Sequence, residues 1–293
     1  MAPRIRLLFT LLIALVTFPA VAQDSREFNM DETFAVDAGG SIVLDSNDAE
    51  VEIRGADRSD VHVVVHYRRT SRGVQIGGDR DFEMVAEERG GDLVLRERIR
   101  GESDFNISLG SVEETYRITI EAPRWVNLDL NGDDDNYSIR GINGDIAINA
   151  EDGDLWLQDC GGSSFRFTLD DGDLEMDGGR GELILRFEDG DVDIRNGAFT
   201  DIRTDADDGD LRLETSLADD GSYRFDSEDG DLHLYVTEGG GEFVVDHDDP
   251  SVRASSAYEK LQEEEYRSRW RLSGGSARVD LRTDDGRVYL DVW

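Results

Sequence analysis

One short phrase recurs through the middle of this chain. Glu-Asp-Gly-Asp-Leu at Glu151 returns as Asp-Asp-Gly-Asp-Leu at Asp170, Glu-Asp-Gly-Asp-Val at Glu188, Asp-Asp-Gly-Asp-Leu at Asp207 and Glu-Asp-Gly-Asp-Leu at Glu228. The glycines Gly153, Gly172, Gly190, Gly209 and Gly230 are spaced by 19, 18, 19 and 21 residues. A fixed period of this length marks a repeat architecture, in which one unit cannot bury its apolar face alone. Each unit holds two alternating segments. One follows the turn, as in Leu174-Glu175-Met176 or Leu211-Arg212-Leu213; the other closes the unit, as in Phe165-Arg166-Phe167 or Tyr223-Arg224-Phe225. Period-two alternation sends aliphatics to one side and polar residues to the other. The pattern predicts an all-β chain, a β-solenoid of stacked coils with about two short strands per coil of 18–21 residues. An elongated β-sandwich is the alternative. Asp-Gly suits a tight turn, because glycine accepts positive φ.

The repeat fades outward. Ile142–Ile148 reads as a half-unit, Pro250 falls where a turn glycine is due, and Asp284-Asp285-Gly286 restores the turn two periods on. The stretch between them reads as a degraded unit, with Tyr258–Glu265 suited to a helical turn and Arg267, Arg269 and Arg271 alternating on one face. Residues 27–125 also alternate in several runs, whereas residues 71–81 and 100–111 read as loops. The expected organisation is a signal peptide over 1–22, an N-terminal β-rich region over 23–125 and the repeat region over 126–293. One continuous domain from 27 to 293 is the alternative division.

The first 22 residues carry Arg4 and Arg6, an apolar run from Leu7 to Phe18 and Ala20-Val21-Ala22. This is the pattern of a secretory leader cut after Ala22. The apolar run is shorter than the roughly 20 residues of a spanning helix. The chain is therefore expected to be exported, to the periplasm or the cell surface, with no transmembrane helix after cleavage. Losing Arg4 and Arg6 takes the formal charge from −36 to −38. Such a chain repels nucleic acid and anionic membrane surfaces. A single cysteine, Cys160, excludes an internal disulfide framework. An outer-membrane barrel would need strands of about 9–11 residues with an apolar lipid-facing band. The alternating runs here are shorter and end in aspartates.

The segments Thr33–Arg69 and Tyr116–Leu157, with their Gly-Asp-aliphatic-x-aliphatic rungs, resemble the bacterial putative-adhesin family of β-strand-repeat proteins, a domain of unknown function. The resemblance covers most of residues 27–293. It implies an exported, envelope-associated β-solenoid with no established enzyme activity, and it brings no catalytic residues. This chain departs from the family pattern in writing Asp rather than Ser before the glycine in all five central turns.

Stacked coils would hold equivalent carboxylates about 4.8 Å apart, where two charges repel by about 0.9 kcal/mol even in bulk water. Three reliefs stay open. The carboxylates are solvated and screened, with Arg166, Arg203 and Arg224 forming an offsetting column. Or Ca²⁺ bridges Asp152, Asp154, Asp171, Asp173, Asp189, Asp191, Asp208, Asp210, Asp229 and Asp231, since Ca²⁺ takes six to eight oxygens. Or a carboxylate pair cleaves glycans, although a uniform ladder gives no member the distinct environment that separates pKa values. His62 and His66 share one face of a strand, as a polar face or part of a zinc site. His247 occupies an inward position. The expected function is a non-catalytic binding or scaffolding role in the envelope, toward an unidentified protein or polysaccharide. Trp156, Glu175, Asp193, Arg212 and His233 form the expected partner-binding face. The alternatives are a calcium-stabilised structural solenoid and a glycan-active enzyme. End-to-end self-association through exposed end coils is also expected.

Overall fold

The computed structural model describes residues 23–76, 81–101, 107–247 and 252–293, so the expected leader and Pro250 lie outside the described residues. Those residues are all β, with no helix among them. The N-terminal strands are β1 (Gln23–Ala35), β2 (Ser41–Ser46), β3 (Glu50–Ala56), β4 (Asp60–Ile76), β5 (Asp81–Arg89), β6 (Asp92–Arg100) and β7 (Ile107–Pro123). The repeat supplies β8 (Asn127–Gly132), β9 (Asn136–Arg140), β10 (Ile146–Asp152), β11 (Leu155–Cys160), β12 (Ser164–Asp171), β13 (Leu174–Gly178), β14 (Arg180–Phe187), β15 (Val192–Ala206), β16 (Leu211–Thr215), β17 (Ser222–Ser227) and β18 (Leu232–Val236). The remainder forms β19 (Gly241–His247), β20 (Val252–Ala254), β21 (Tyr258–Glu263), β22 (Arg267–Leu272), β23 (Ala277–Thr283) and β24 (Val288–Val292).

Through the centre, strands alternate between two parallel ladders. Sheet A runs β9, β11, β13, the first half of β15, β16 and β18. Sheet B runs β8, β10, β12, β14, the second half of β15 and β17. The chain thus winds B, acidic turn, A, return, in a solenoid-like stack. The registers align like with like: Leu155 opposite Leu174, then Val192, Leu211 and Leu232 in sheet A, and Ile146, Phe165, Leu183, Ile202 and Tyr223 in sheet B. These side chains are buried and fill the space between the sheets, while their neighbours face outward. Burial at roughly 25 cal/mol per Å² of apolar surface is the main force holding the stack.

The turns fix the spacing. A Cβ added to Gly209 would lie 1.9 Å from the carbonyl oxygen of Gly190, and one on Gly230 would lie 2.1 Å from that of Gly209. Gly172 and Gly190 meet the carbonyls of Gly153 and Gly172 in the same way. Positive φ accounts for Gly153, Gly172 and Gly190, at 142°, 121° and 112°. Gly209 and Gly230 have no such φ, so contact between coils alone excludes a side chain there.

Two departures from simple winding appear at the ends. β2 pairs with both β6 and β8, and β3 with both β7 and β9. The first coil in sequence is therefore inserted one place inside the stack. The last coil does the same: β23 lies between β17 and β19, and β24 between β18 and β20. Sequence order predicts the Pro250 turn on top of Gly230; instead Gly286 stacks there, its added Cβ falling 1.9 Å from the Gly230 carbonyl. Antiparallel strands then end the repeat, with β4 on β7, β1 on β4 and β5 on β6 at one end. At the other end β22 lies on β19 and β21 on β22.

Three local expectations are corrected by these pairings. Residues 71–76 and 107–111 are not loops but the far halves of β4 and β7, paired from Ser71 opposite Val112 to Ile76 opposite Ile107. Tyr258–Glu263 is a strand and not a helical turn, because β22 offers it an antiparallel partner. Arg166, Arg203 and Arg224 do not form an unbroken column, since Ile184 separates Arg166 from Arg203. Arg267 forms an ion pair with Asp246 directly across the ladder, and Arg269 one with Glu242 on the diagonal.

Gly209→Ala should destabilise the protein by about 3 kcal/mol or more, at the upper end of overpacking costs, because the new methyl would meet the Gly190 carbonyl oxygen at 1.9 Å and Phe187 Cε2 at 2.7 Å. Urea unfolding of the variant against the wild type measures this; an unchanged midpoint would contradict the stacking argument.

Candidate binding face

The last acid of each repeat is part of the scaffold. The Asp173 amide donates to Asp154 Oδ1 at 3.0 Å, Asp191 to Asp173 at 2.9 Å, Asp210 to Asp191 at 3.3 Å and Asp231 to Asp210 at 2.8 Å. The ladder begins on a neutral amide, Asn136 Oδ1, which accepts from the Asp154 amide at 3.0 Å. It ends on a cation: the Arg287 amide donates to Asp231 Oδ1 at 3.0 Å, and the Arg287 guanidinium lies 3.9 Å from Asp231 Oδ2. Hydrogen bonds to charged acceptors are worth about 1.5–3 kcal/mol each, which exceeds the pairwise repulsion between neighbouring rungs in water. The second acid of the turn contributes its backbone: the amides of Asp189, Asp208 and Asp229 donate to Asp170, Glu188 and Asp207 of the preceding coil. The side chains of Asp152, Asp171, Asp189, Asp208 and Asp229 stay exposed. Among the described residues no three His, Cys, Asp or Glu side chains converge to hold a metal ion.

One turn breaks the pattern. Asp135 stands where the ladder has glycine, its carbonyl oxygen 2.2 Å from a Cβ built on Gly153. Its side chain turns inward and is fully buried. There it accepts from Ser46 Oγ at 2.6 Å, from the Ala49 amide at 2.5 Å and from Tyr137 Oη at 3.0 Å. Glu97 accepts from the Asn47 amide at 2.9 Å. These two carboxyls hold the inserted β2–β3 turn. Burial raises the pKa of both, and Glu97 is pushed up to about 7 by burial, with the Asp135 charge adding to the rise.

The outward side of sheet A carries the candidate site. Register places Trp156 opposite Glu175, Glu175 opposite Asp193, Asp193 opposite Arg212 and Arg212 opposite His233. These five side chains lie in one row, one rung over from the Asp ladder. The row continues beyond them to Tyr289 and Arg253, which sequence order hides because β24 is threaded between β18 and β20. His233 stacks on Tyr289 with ring centroids 4.0 Å apart, and Arg253 lies 5.7 Å from the Tyr289 ring. Arg212 covers Tyr235 at 4.8 Å. Trp156 is half-buried, with the Arg140 guanidinium 5.2 Å from its ring. It forms the wall between a groove of about 640 Å³ bounded by Glu52, Arg117 and Asn136 and a smaller one bounded by Glu175, Asp193 and Arg195.

The remaining candidates are dispersed. His62 bonds Asp31 at 2.8 Å and His66 bonds Asn29 at 2.7 Å, so each imidazole takes its own partner from β1. His247 points inward and is 6% exposed. Cys160 is 4% exposed, and burial pushes its thiol pKa up, away from the thiolate a nucleophile needs. No described helix is long and apolar enough to cross a membrane.

Two parallel ladders with a stacked Gly-Asp turn define an all-β repeat protein of solenoid type. The family model described as Toastrack DUF4097 matches residues 40–291, and the chain belongs to that family. Among solved structures, a putative adhesin from Bacteroides fragilis shares 12% identity over 94% of this chain and 99% of its own, with a TM-score of 0.47. A putative adhesin from Parabacteroides distasonis shares 9% over 93% and 98%, also at 0.47. A putative lipid binding protein from the same species shares 12% over 92% and 96%, at 0.35. No curated protein matches the chain.

Two outcomes follow from the turn geometry. Asp191→Ala should cost about 1 kcal/mol by removing the exposed bond to the Asp210 amide, whereas Asp191→Asn, which keeps the acceptor as Asn136 does, should leave the thermal midpoint within a few degrees. Charge reversal at Asp191 or Asp210 would consequently damage the scaffold rather than probe the face. Glu97 is raised in the folded state, so its stabilising contribution is complete below about pH 4.5 and is lost as pH rises toward 7. The wild-type midpoint should thus fall more steeply between pH 5 and 7 than that of Glu97→Gln; parallel slopes would show that Glu97 titrates as an ordinary surface acid.

Proposed function

We propose that this protein is an exported component of the bacterial cell envelope that binds or scaffolds without catalysis, and that sheet A is its binding face. The observation that carries this reading is the row from Trp156 through Glu175, Asp193, Arg212 and His233 to Tyr289. Rigid parallel strands repeat those side chains at fixed intervals on a surface outside the core, which suits an extended partner. Aromatic and arginine side chains are the residue types that dominate binding energy at interfaces. Membership of the Toastrack family and the leader-like first 22 residues support the envelope assignment. The buried, protonated Cys160 and the separately bonded His62 and His66 give no support to a catalytic role. The calcium-bridged alternative, through Asp152 to Asp231, is not favoured, because the inner column already spends one carboxylate oxygen per rung on a backbone amide.

The test is co-sedimentation of the purified mature protein with isolated cell envelopes. Arg212→Glu combined with His233→Glu should lower the sedimenting fraction's affinity at least about tenfold, the equivalent of one lost contact of 1.4 kcal/mol. Arg203→Glu combined with Arg224→Glu, on the outer side of sheet B, should leave it unchanged. Equal loss in both variants, or in neither, would remove sheet A from the reading.

A further inference from the structure

Arginines beside carboxylates recur in this chain, as expected where 67 acids face 31 bases. Arg195 pairs with Asp193, Arg58 with Asp60 and Glu121, and Arg96 with Asp45. One place gathers three bases around a single acid. Arg54, Arg124 and Arg140 line a single pocket of about 310 Å³ with Gly55, Gly141 and one acid, Asp159. Arg54 and Arg140 stand directly opposite each other on adjacent parallel strands, β3 and β9. Like charges so placed are destabilising unless something sits between them. Arg54 is tied to Glu52, but among the described residues neither Arg124 nor Arg140 has a carboxylate within ion-pair distance. Arg124 donates instead to the Gly141 carbonyl at 3.2 Å, and Arg140 to the Gln158 side chain. Glycine keeps the pocket open: a Cβ on Gly141 would sit 2.7 Å from the Arg124 guanidinium.

We propose that Arg54, Arg124 and Arg140 form a seat for an oxyanion, and that its occupant is an acidic group carried by a sugar lying against Trp156. Guanidinium groups bind phosphate and carboxylate through paired, charge-assisted hydrogen bonds. Arg140 links the two halves of the site, because the same guanidinium that lines the pocket covers the Trp156 ring at 5.2 Å. The aromatic face offers negative charge to the weakly positive C–H edge of a sugar ring. Beyond it, Asn136, Ser138 and Glu52 border the groove as donors and acceptors for hydroxyls. The surrounding surface is acidic and repels polyanions, with a reach of about 8–10 Å at ordinary salt. The site thus selects a single anionic group on an otherwise neutral saccharide. This inference rests on sheet A being the binding face and names the chemistry of its ligand.

Isothermal titration of the purified mature protein at low salt tests it, with four probes: glucose, inorganic phosphate, glucose 1-phosphate and glucuronate. Saturable binding of glucose 1-phosphate or glucuronate, with glucose silent, is the expected result; which of the two binds identifies phosphate or carboxylate as the anion. Arg124→Gln with Arg140→Gln should weaken that binding about 10- to 100-fold, the worth of one or two lost charge-assisted hydrogen bonds. Trp156→Ala should reduce the sugar-bearing probe to the affinity of inorganic phosphate, while Trp156→Phe retains part of the difference. Arg124→Lys with Arg140→Lys, matched to wild type in thermal midpoint, should recover charge but not full affinity. No saturable heat with any anionic probe, or binding indifferent to the arginine variants, overturns the proposal. Envelope co-sedimentation of the same variants separates the two claims: retention that depends on Arg212 and His233 without anion binding would leave the sheet A reading standing and remove only the oxyanion seat.

Discussion

Everything in this molecule is referred to the close approach of its turns. A glycine carbonyl in one coil presses against the glycine of the next, at a distance no side chain tolerates. That contact sets the vertical spacing, and the spacing lets each aspartate carboxylate reach the next coil's amide. The two devices are coupled: without glycine the coils cannot approach, and without aspartate the approached amides would lack an acceptor from the chain. These bonds lie at the exposed surface, so each acid after a glycine adds a charge-assisted tie between coils where water would otherwise be the acceptor. The apparent excess of acid in the repeat divides accordingly. One column is bonded into the backbone, and the exposed columns remain as surface charge. Those exposed charges discourage edge-to-edge association of a long repetitive sheet.

The ends of the stack show how a repeat stops. A periodic ladder would expose open edges at both ends, where other chains could add. Here the first and last coils in sequence are each tucked one place inward, and the coils displaced outward carry antiparallel arms. The arms reverse direction, so the helical rise cannot continue. At the C-terminal end the exit turn supplies Arg287 as the last rung of the aspartate ladder, giving a column of negative charge a positive terminus. At the other end the neutral Asn136 opens the ladder, and the buried Asp135 turns inward to grip Ser46 and Ala49 of the inserted coil. The same residue type thus serves as an exposed rung in five coils and as a buried clamp in the sixth. Asp135 differs from the ladder acids in its desolvation, and that desolvation raises its pKa.

Local chemistry was legible in the sequence, and long-range order was not. The all-β class, the turn positions and the inward aliphatics follow from a period of about nineteen and an alternation of two. Register between coils then put Trp156, Glu175, Asp193, Arg212 and His233 in one row, since each occupies the same place after its glycine. Threading of the terminal coils escaped because nothing in a repeat specifies which coil follows which once two compete for one neighbour. Gly286 wins the place on Gly230 by carrying the glycine that the contact demands. The arms at residues 71–76 and 107–111 escaped because glycine and polar residues read as loops when no partner is in view. Tyr258–Glu263 escaped for the converse reason, as a charged run with helical spacing that tertiary pairing drew into a strand. Asp135 left a faint signal: an acid in the glycine place of a turn, followed by Asn136 in the ladder place.

The arginine pocket belongs to the same logic of charge placement. A chain with this acid excess can pair an arginine locally, as it does at Arg195 in sheet A and Arg203 in sheet B. Leaving Arg124 and Arg140 without carboxylates, with Arg54 opposite Arg140, forgoes stabilisation that a single nearby substitution to Asp or Glu would supply. The folded state gains nothing visible from that arrangement: Arg124 holds a carbonyl and Arg140 an amide, bonds that neutral side chains make as well. Like charge next to a half-buried tryptophan is instead what a binding site looks like before its ligand arrives, because an anion that enters lowers the repulsion. The scaffold therefore separates two uses of charge. One column of its acids holds the coils in register, and three of its bases gather beside the face that register makes continuous.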